Sequence, residues 1–487
     1  MNSKPQIKVG IEKYDDDFLI PYDESMTLER FKTALEKAIG SPCKLNTTKY
    51  EKNKKQTMKD FVEKNGNNIF LLENDNLGSF IKHWKGNFIN KNNSCFKDSF
   101  VQSLVHSMTE AIVKREEELR KKQGLPIAKD FKSYNNGNNS DSNNFYADLL
   151  YLLDNIKDKM NKKDSSPMQN TYDPTHIAKD QKYSTGGGYA TDNTAKLSRS
   201  STSTSTGSGL NGGSLSAFFK NKYFYTTFVE DHEIFLKEKT VVSDCIRFDV
   251  RNFKECNKCH FSDISVINPG NIVIPMYDYI MNQGMFSFDR LLQYYYKINN
   301  FGKQNSKSGE FCNKCNSYNL NYYNKMSTLP DILIIDFNLE KYYIYASDYR
   351  LKNDRFCWLL EEQISLSDHY DRIDYDSSSK DDCYYELTSF IGHFGEREHG
   401  HFINFSKVDD KWYLFDDLRE NSVEMGDFLI VKSYIEKNEF SFRYSDGKNE
   451  VKTVSSKLKI CTCFYERNIC KGDEQYIRDI KKIIKRL

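Results

Sequence analysis

The sequence predicts an α+β chain assembled from more than one folded unit. Three observations carry this expectation. Residues 6–73 read as strand, strand, helix and a closing strand. The chain from Phe218 onward is rich in short strand-like runs and aromatic residues. Between them lie long polar tracts poor in aliphatic side chains. At 487 residues the chain is too long for one small core. Lys and Arg total 70 against 69 Asp and Glu, so the balance points to neither a nucleic-acid nor a membrane-surface partner. The longest apolar runs are of strand length, and MNSKPQIKVG has no signal-like apolar segment. The expectation is a cytoplasmic or nuclear protein. In a reducing compartment, its twelve cysteines point to metal binding or catalysis rather than a disulfide framework.

In the first unit, IKVGIEK alternates as a strand, DDDFLIPY supplies a second, and YDD lies at the turn between them. SMTLERFKTALEKAIG then places Leu28, Phe31, Leu35 and Ile39 on one helical stripe. Thr27 is its candidate N-cap and Gly40 its stop. After TMKDFVEKNGNNIFLLEN the unit closes on an apolar strand at Ile69–Leu72. This ββαβ…β order over residues 6–75 matches a β-grasp and resembles a ubiquitin-like domain.

Two tracts, 133–144 and 160–215, cannot bury enough surface to fold and are expected as disordered insertions; the second ends in SRSSTSTSTGSGLNGGSLS. FYADLLYLLDNIKDKM between them is an amphipathic helix. Residues 471–487 form a basic terminal helix or tail.

Cys256-x-x-Cys259 and Cys312-x-x-Cys315 are two CxxC knuckles. Each presents two thiolates, and together they complete a tetrahedral shell for one structural Zn²⁺, with no coordination position left for chemistry. Four unmetallated thiols, or His260 replacing a cysteine, are the competing readings. No organic cofactor is implied. GNFINKNNSCFKDSFVQSLVHS begins as an Asn-rich loop and becomes helical after Cys95, with Phe96, Phe100, Leu104 and Val105 on one face. A cysteine at a helix N-terminus is placed to ionise, because the free N–H groups and the macrodipole favour the thiolate. A cysteine that is merely buried at a helix start is the commoner case, and local context leaves both readings open.

Three separated segments then resemble one family in order. NFINKNNSCFKDS parallels a cysteine box of the form G-L-x-N-L-G-N-T-C-F-x-N-S. Tyr385, Leu387, His393, Gly395, Gly400, His401 and Phe402 fall on the positions of Y-x-L-x-A-V-x-x-H-x-G-x₄-G-H-Y. Trp412, Phe415, Asp416 and Asp417 fit W-x-x-F-D-D, while LPDILIIDF and LKICTCFYER resemble two later strands of the same pattern. The likeness, covering about 84–470, is to the ubiquitin-specific proteases. It implies a papain-like cysteine protease fold with thumb, palm and zinc-braced fingers. It also implies hydrolysis of the bond after the C-terminal glycine of ubiquitin. By the same resemblance Cys95 is the nucleophile, His401 the base, Asp416 the orienting carboxylate and Asn90 the oxyanion donor. Gly400 and Trp412 are assigned to the substrate tail, Asp417 to that tail or to the oxyanion site beside Asn90, and His393 and His399 to supporting positions. Ubiquitin and ubiquitinated proteins are the implied partners. A leading ubiquitin-like unit further suggests association with the proteasome.

The chain departs from the pattern at Asn92, where the family has Gly, and at Asp98, which adds an acidic group on the helix that begins with Cys95. The family's Q-Q-D-A-x-E-F segment is degenerate here, with Asn144 nearest its acidic position, and IIDFNLEKYY lacks the basic end of its strand. A catalytically weak ubiquitin-binding pseudo-protease is therefore one alternative. A zinc hydrolase using His393, His399 and His401 is the other.

Overall fold

The computed structural model describes residues 4–11, 17–39, 43–45, 56–66, 68–73, 77–89, 95–126, 128–134, 145–164, 166–169, 241–267, 269–276, 287–293, 312–317, 320–339, 359–370, 383–395, 400–445, 451–468 and 474–484. The first unit holds strands β1 (Gln6–Ile11), β2 (Asp17–Pro21), β3 (Cys43–Leu45) and β4 (Asn68–Glu73), with helices α1 (Leu28–Ile39) and α2 (Met58–Asn65). Its sheet runs β2-β1-β4-β3. β1 lies antiparallel to β2 and parallel to β4, which is the β-grasp arrangement the element order predicts. The Thr27 hydroxyl accepts the Arg30 N–H at 3.2 Å, capping α1 as expected. Leu28, Phe31 and Leu35 are buried along the predicted stripe; Gly40 lies outside the described residues.

One partner of this unit comes from the far end of the chain. Helix α8 (Glu474–Ile484) carries Tyr476, Ile480 and Ile484 at spacings of four, so they share one face. Ile480 and Ile484 are buried in the same cluster as Phe31 and Leu35, and the Tyr476 hydroxyl donates to Pro21 O at 2.7 Å. The basic C-terminal segment is thus a helix that completes the N-terminal core. Lys37 adds a bond from its ammonium to Asn468 Oδ1 at 3.0 Å, just past the last strand of the main sheet.

The main body is an eight-stranded sheet. Its strands are β9 (Ile272–Pro275), β11 (Ile332–Asn338), β12 (Gln363–Ser365), β13 (Tyr384–Gly395), β14 (Gly400–Val408), β15 (Lys411–Phe415), β16 (Val423–Gly426) and β19 (Lys459–Arg467). They run β16-β15-β14-β13-β19-β11-β9, with β12 paired to β13. LPDILIIDF and LKICTCFYER, distant in sequence, are neighbours here, with Ile335 opposite Cys463 in the antiparallel β11–β19 pair. A separate sheet, β10-β7-β8, is built from β7 (Val250–Cys256), β8 (Ser262–Ile267) and β10 (Leu320–Met326). Helices α3 (Leu77–Lys82), α6 (Val241–Ile246) and α7 (Phe428–Lys437) and the hairpin of β17 (Phe440–Ser445) and β18 (Val451–Ser456) surround these sheets.

Helix α4 (Cys95–Lys122) packs on β13 and β14. One apolar face is expected from its sequence, yet its first half is enclosed on all sides: Phe100, Val101, Leu104, Val105 and Met108 are buried, and so are Ser99, Gln102, Ser103, His106 and Ser107. Buried hydroxyls and amides must find partners, and these find the sheet. Asn404 Nδ2 donates to Ser103 Oγ at 2.6 Å and to Ser389 Oγ at 2.8 Å. Ser389 Oγ lies 2.9 Å from Ser103 Oγ, Ser406 Oγ donates to Asn404 Oδ1 at 2.7 Å, and Thr388 Oγ1 reaches Ser107 Oγ at 2.9 Å. The β13–β19 register shifts between Leu387 and Ser389. Such a bulge re-aims side chains, and here Thr388 and Ser389, adjacent in sequence, both reach α4.

Parts of both polar tracts are folded. Helix α5 (Phe145–Asn161) runs past residue 160, and strand β6 (Met168–Gln169) pairs in parallel with β5 (Phe88–Ile89). Lys159 reaches Asp164 Oδ2 at 2.8 Å and Ser166 Oγ at 2.7 Å in this stretch. Ser133 and Tyr134 likewise belong to a short helical turn, Phe131–Tyr134. Residues 135–144 and 170–215 lie outside the described residues.

Candidate active site

Cys95 is the first residue of α4 and is 9% exposed. His401 is the second residue of β14, the strand on which α4 packs, and is itself buried. After His401 the chain reverses tightly at Asp409 and Asp410, which have φ of 52° and 63°; paired left-handed residues are the signature of a two-residue hairpin turn. Strand β15 returns antiparallel with Asn404 opposite Phe415. The next residue, Asp416, therefore arrives beside His401, and His401 Nε2 lies 2.8 Å from Asp416 Oδ1.

The chemistry of this pair follows from its donors. An ionised carboxylate only accepts, so the bond assigns the proton to Nε2 and leaves the lone pair of the neutral ring on Nδ1. Asp416 also accepts from the Leu418 N–H and the Arg419 Nε–H, each at 3.1 Å. Burial pushes its carboxyl up, but the His401, Leu418 and Arg419 interactions more than offset this and hold it below the ordinary aspartate value. Asp417 places a second buried carboxylate 3.5 Å from the same His401 nitrogen.

Two residues stand otherwise than the sequence implies. Trp412 is only 1% exposed and packs against Phe390 and Phe428, with ring centroids at 5.7 and 5.6 Å; it belongs to the core and offers no surface to a substrate tail. Gly400 is expected to keep a substrate channel narrow. The closer constraint is His393, because a Cβ at Gly400 would stand 1.9 Å from His393 Nε2. His393 itself is buried against Phe402, at 4.5 Å between centroids, and burial pushes its imidazole well down, keeping it neutral. It therefore acts as packing, as the sequence suggests.

Among the described residues, the groups able to hold a metal are the four cysteines, and His401 with Asp416 and Asp417. His393 belongs to neither, and His399 lies outside the described residues, as do Asn90 and Asn92. The sequence reading misses Asn87, whose amide reaches Asp416 O at 2.7 Å, and Arg419. Asn87 is marked in sequence only as the position where the cysteine box has glycine.

The zinc site is well formed. The four Sγ atoms lie within 4.8 Å of one another, with Cys256–Cys315 and Cys259–Cys312 each at 3.5 Å. A tetrahedron with zinc–sulfur bonds of about 2.3 Å has edges of about 3.8 Å, so the quartet fits one Zn²⁺. The knuckles share one design. His260 N–H donates to Cys256 O and Asn316 N–H to Cys312 O, both at 2.8 Å. Each donor follows the second cysteine of its pair with positive φ, 55° and 54°. His260 is thus the left-handed residue of a turn, equivalent to Asn316, and all four ligands are cysteines. Cys256 and Leu320 are cross-strand partners, so the metal ties the ends of β7 and β10. Native mass spectrometry should show one bound zinc in the wild type and none in Cys256→Ser, with a melting temperature lower by roughly 5 °C or more; full zinc occupancy in Cys256→Ser would contradict the site.

A family model described as ubiquitin carboxyl-terminal hydrolase matches residues 87–439. No curated protein sequence matches the chain. Among solved structures, the chain is similar to the yeast SAGA DUB module carrying a mutant Sgf73, at 13% identity and a TM-score of 0.43, covering 80% of this chain and 69% of that one. It is also similar to the SAGA Ubp8/Sgf11/Sus1/Sgf73 DUB module bound to ubiquitin aldehyde, at 12% identity and a TM-score of 0.41, covering 80% and 70%. With the family model spanning most of the length, the chain belongs to the ubiquitin carboxyl-terminal hydrolase family and is a cysteine-type deubiquitinase.

Proposed function

We propose that Cys95 is the nucleophile, His401 the general base and Asp416 the orienting carboxylate of this deubiquitinase. The observation that carries the assignment is the 2.8 Å His401 Nε2–Asp416 Oδ1 contact on a strand packed against the helix that Cys95 begins. In this reading the Cys95 thiol passes its proton to His401 Nδ1, and the thiolate attacks the carbonyl carbon of ubiquitin's C-terminal glycine. The tetrahedral oxyanion is stabilised by Asn90. Its collapse breaks the C–N bond, and the leaving amine takes the proton from His401, leaving a thioester on Cys95. His401 then removes a proton from water, whose attack releases the ubiquitin carboxylate and restores the thiol. Asp416 keeps the imidazole in the Nε2–H form and stabilises the imidazolium. Asp417 supports the same ring or the substrate tail. The catalytic domain spans about 84–470, and the zinc site braces the strands that grip ubiquitin.

A ubiquitin probe with a C-terminal electrophile should label wild-type protein at Cys95 alone. Cys95→Ala should abolish labelling, and His401→Ala should slow it roughly 10²- to 10⁴-fold. Adduct on another cysteine, or full activity in Cys95→Ala, would overturn the assignment. Ubiquitin binding without labelling or turnover would favour the pseudo-protease.

The β-grasp unit ahead of the catalytic domain supports a second, cytoplasmic or nuclear role as a dock for the proteasome. The full chain should then co-sediment with purified proteasomes, and its absence from the proteasome fraction would remove this role.

A further inference from the structure

We propose that Asn87 is a positioning residue that holds the Asp416 turn, and through it the carboxylate, against His401. Asn87 precedes β5 and is 2% exposed. Its amide donates one hydrogen to Asp416 O at 2.7 Å and the other to Arg419 O at 3.1 Å. Only a donor satisfies two facing carbonyls, so the carbonyls fix the orientation of the amide. The bonded pair are the first and last residues of a turn that Arg419 N–H closes onto Asp416 O at 2.8 Å. One buried side chain thereby spans the turn that delivers the carboxylate.

Asn87 is itself held from two sides. Its own carbonyl accepts the Met168 N–H at 2.8 Å, and Phe88 pairs with Met168 across β5 and β6. Two residues upstream, Lys85 O accepts the Ser422 hydroxyl at 2.7 Å. The direct support for the carboxylate comes from Leu418 N–H and Arg419, and the Arg419 side chain is 51% exposed. An exposed ion pair holds geometry weakly, because water and salt compete for it. A buried bidentate amide has no such competitor. Asn87 also lies eight residues before Cys95, so the segment leading to the nucleophile is tied to the turn carrying its distant carboxylate. The cysteine box that this chain resembles has glycine here, which has no side chain to make the tie.

The proposal rests on the role assigned to Asp416, and a double-mutant cycle separates the two. In steady-state hydrolysis of a fluorogenic ubiquitin C-terminal amide, Asn87→Ala should lower kcat roughly tenfold with KM within about twofold. The rate of Cys95 alkylation by iodoacetamide at pH 6 should fall with it, because a displaced Asp416 stabilises the thiolate–imidazolium pair less. In an Asp416→Ala background, Asn87→Ala should cost nothing further. Zinc content and thermal melting report the fold. If Asn87→Ala does not fold, Asn87→Leu keeps the branched shape and removes both donors, and the same losses are expected. Unchanged kcat and alkylation in a folded Asn87 variant would overturn the proposal. So would an equal loss in both backgrounds, which marks a purely structural residue. Wild-type kcat in Asp416→Ala alone would instead overturn the reading on which the proposal rests.

Discussion

The architecture of the site depends on a seam of buried hydroxyls and one amide between α4 and the central strands. Ser103, Ser389, Asn404 and Ser406 are all fully buried and bonded to one another across the helix–sheet interface. Ser103 lies eight residues past Cys95, and Asn404 three past His401. At about 1.5 Å per helical residue and about 3.3 Å per strand residue, the seam lies about 12 Å from one group and about 10 Å from the other. It therefore acts as the fixed joint between two arms of similar length. Apolar packing alone would let the helix slide, because it is non-directional. A satisfied polar network admits one register, since slipping it leaves buried groups unpaired at about 1–3 kcal/mol each.

Other parts of the molecule pin its periphery in comparable ways. Lys82 at the end of α3 reaches Glu110 on α4 at 3.2 Å and Glu466 on β19 at 2.8 Å, joining three elements around one ammonium. His106 on α4 packs on Phe415, immediately before Asp416, at 5.0 Å; burial pushes its pKa down to about 3, so it sits there as a neutral ring. The cysteine quartet fixes a sheet separate from the one that carries His401. The N-terminal unit is closed by α8, whose Ile480 and Ile484 share its core cluster. No helix among the described residues is long and apolar enough to cross a membrane.

Much of this was legible where the signal is local or spaced. The CxxC pairs and the α1 stripe with its Thr27 cap show in the residues themselves, whereas His401 and Asp416 are marked by the family resemblance. The first two depend on a turn or period that neighbouring positions determine. The seam was hidden for the opposite reason. Ser99, Ser103 and Ser107 read as the polar face of an amphipathic helix, and nothing local distinguishes a hydroxyl facing water from one facing Asn404. The burial of Trp412 is hidden in the same way, since its motif says nothing of which side of β15 it occupies. The docking of α8 on α1 joins residues more than 400 positions apart, beyond any periodicity. Residues 160–164 and 166–169 read as polar enough to be disordered, but the end of α5 and the β5–β6 pairing lie among them.

Whether the seam aligns the site is read most directly from kcat for Asn404→Leu, with Ser103→Ala as the milder variant, on a fluorogenic ubiquitin C-terminal amide. Neither side chain touches the reacting atoms. If the seam sets the alignment of Cys95 and His401, protein that retains its zinc and melts cooperatively should lose roughly 10- to 100-fold in kcat for Asn404→Leu, with KM within about twofold. Wild-type kcat in both folded variants would show that the seam contributes packing alone and does not align Cys95 with His401.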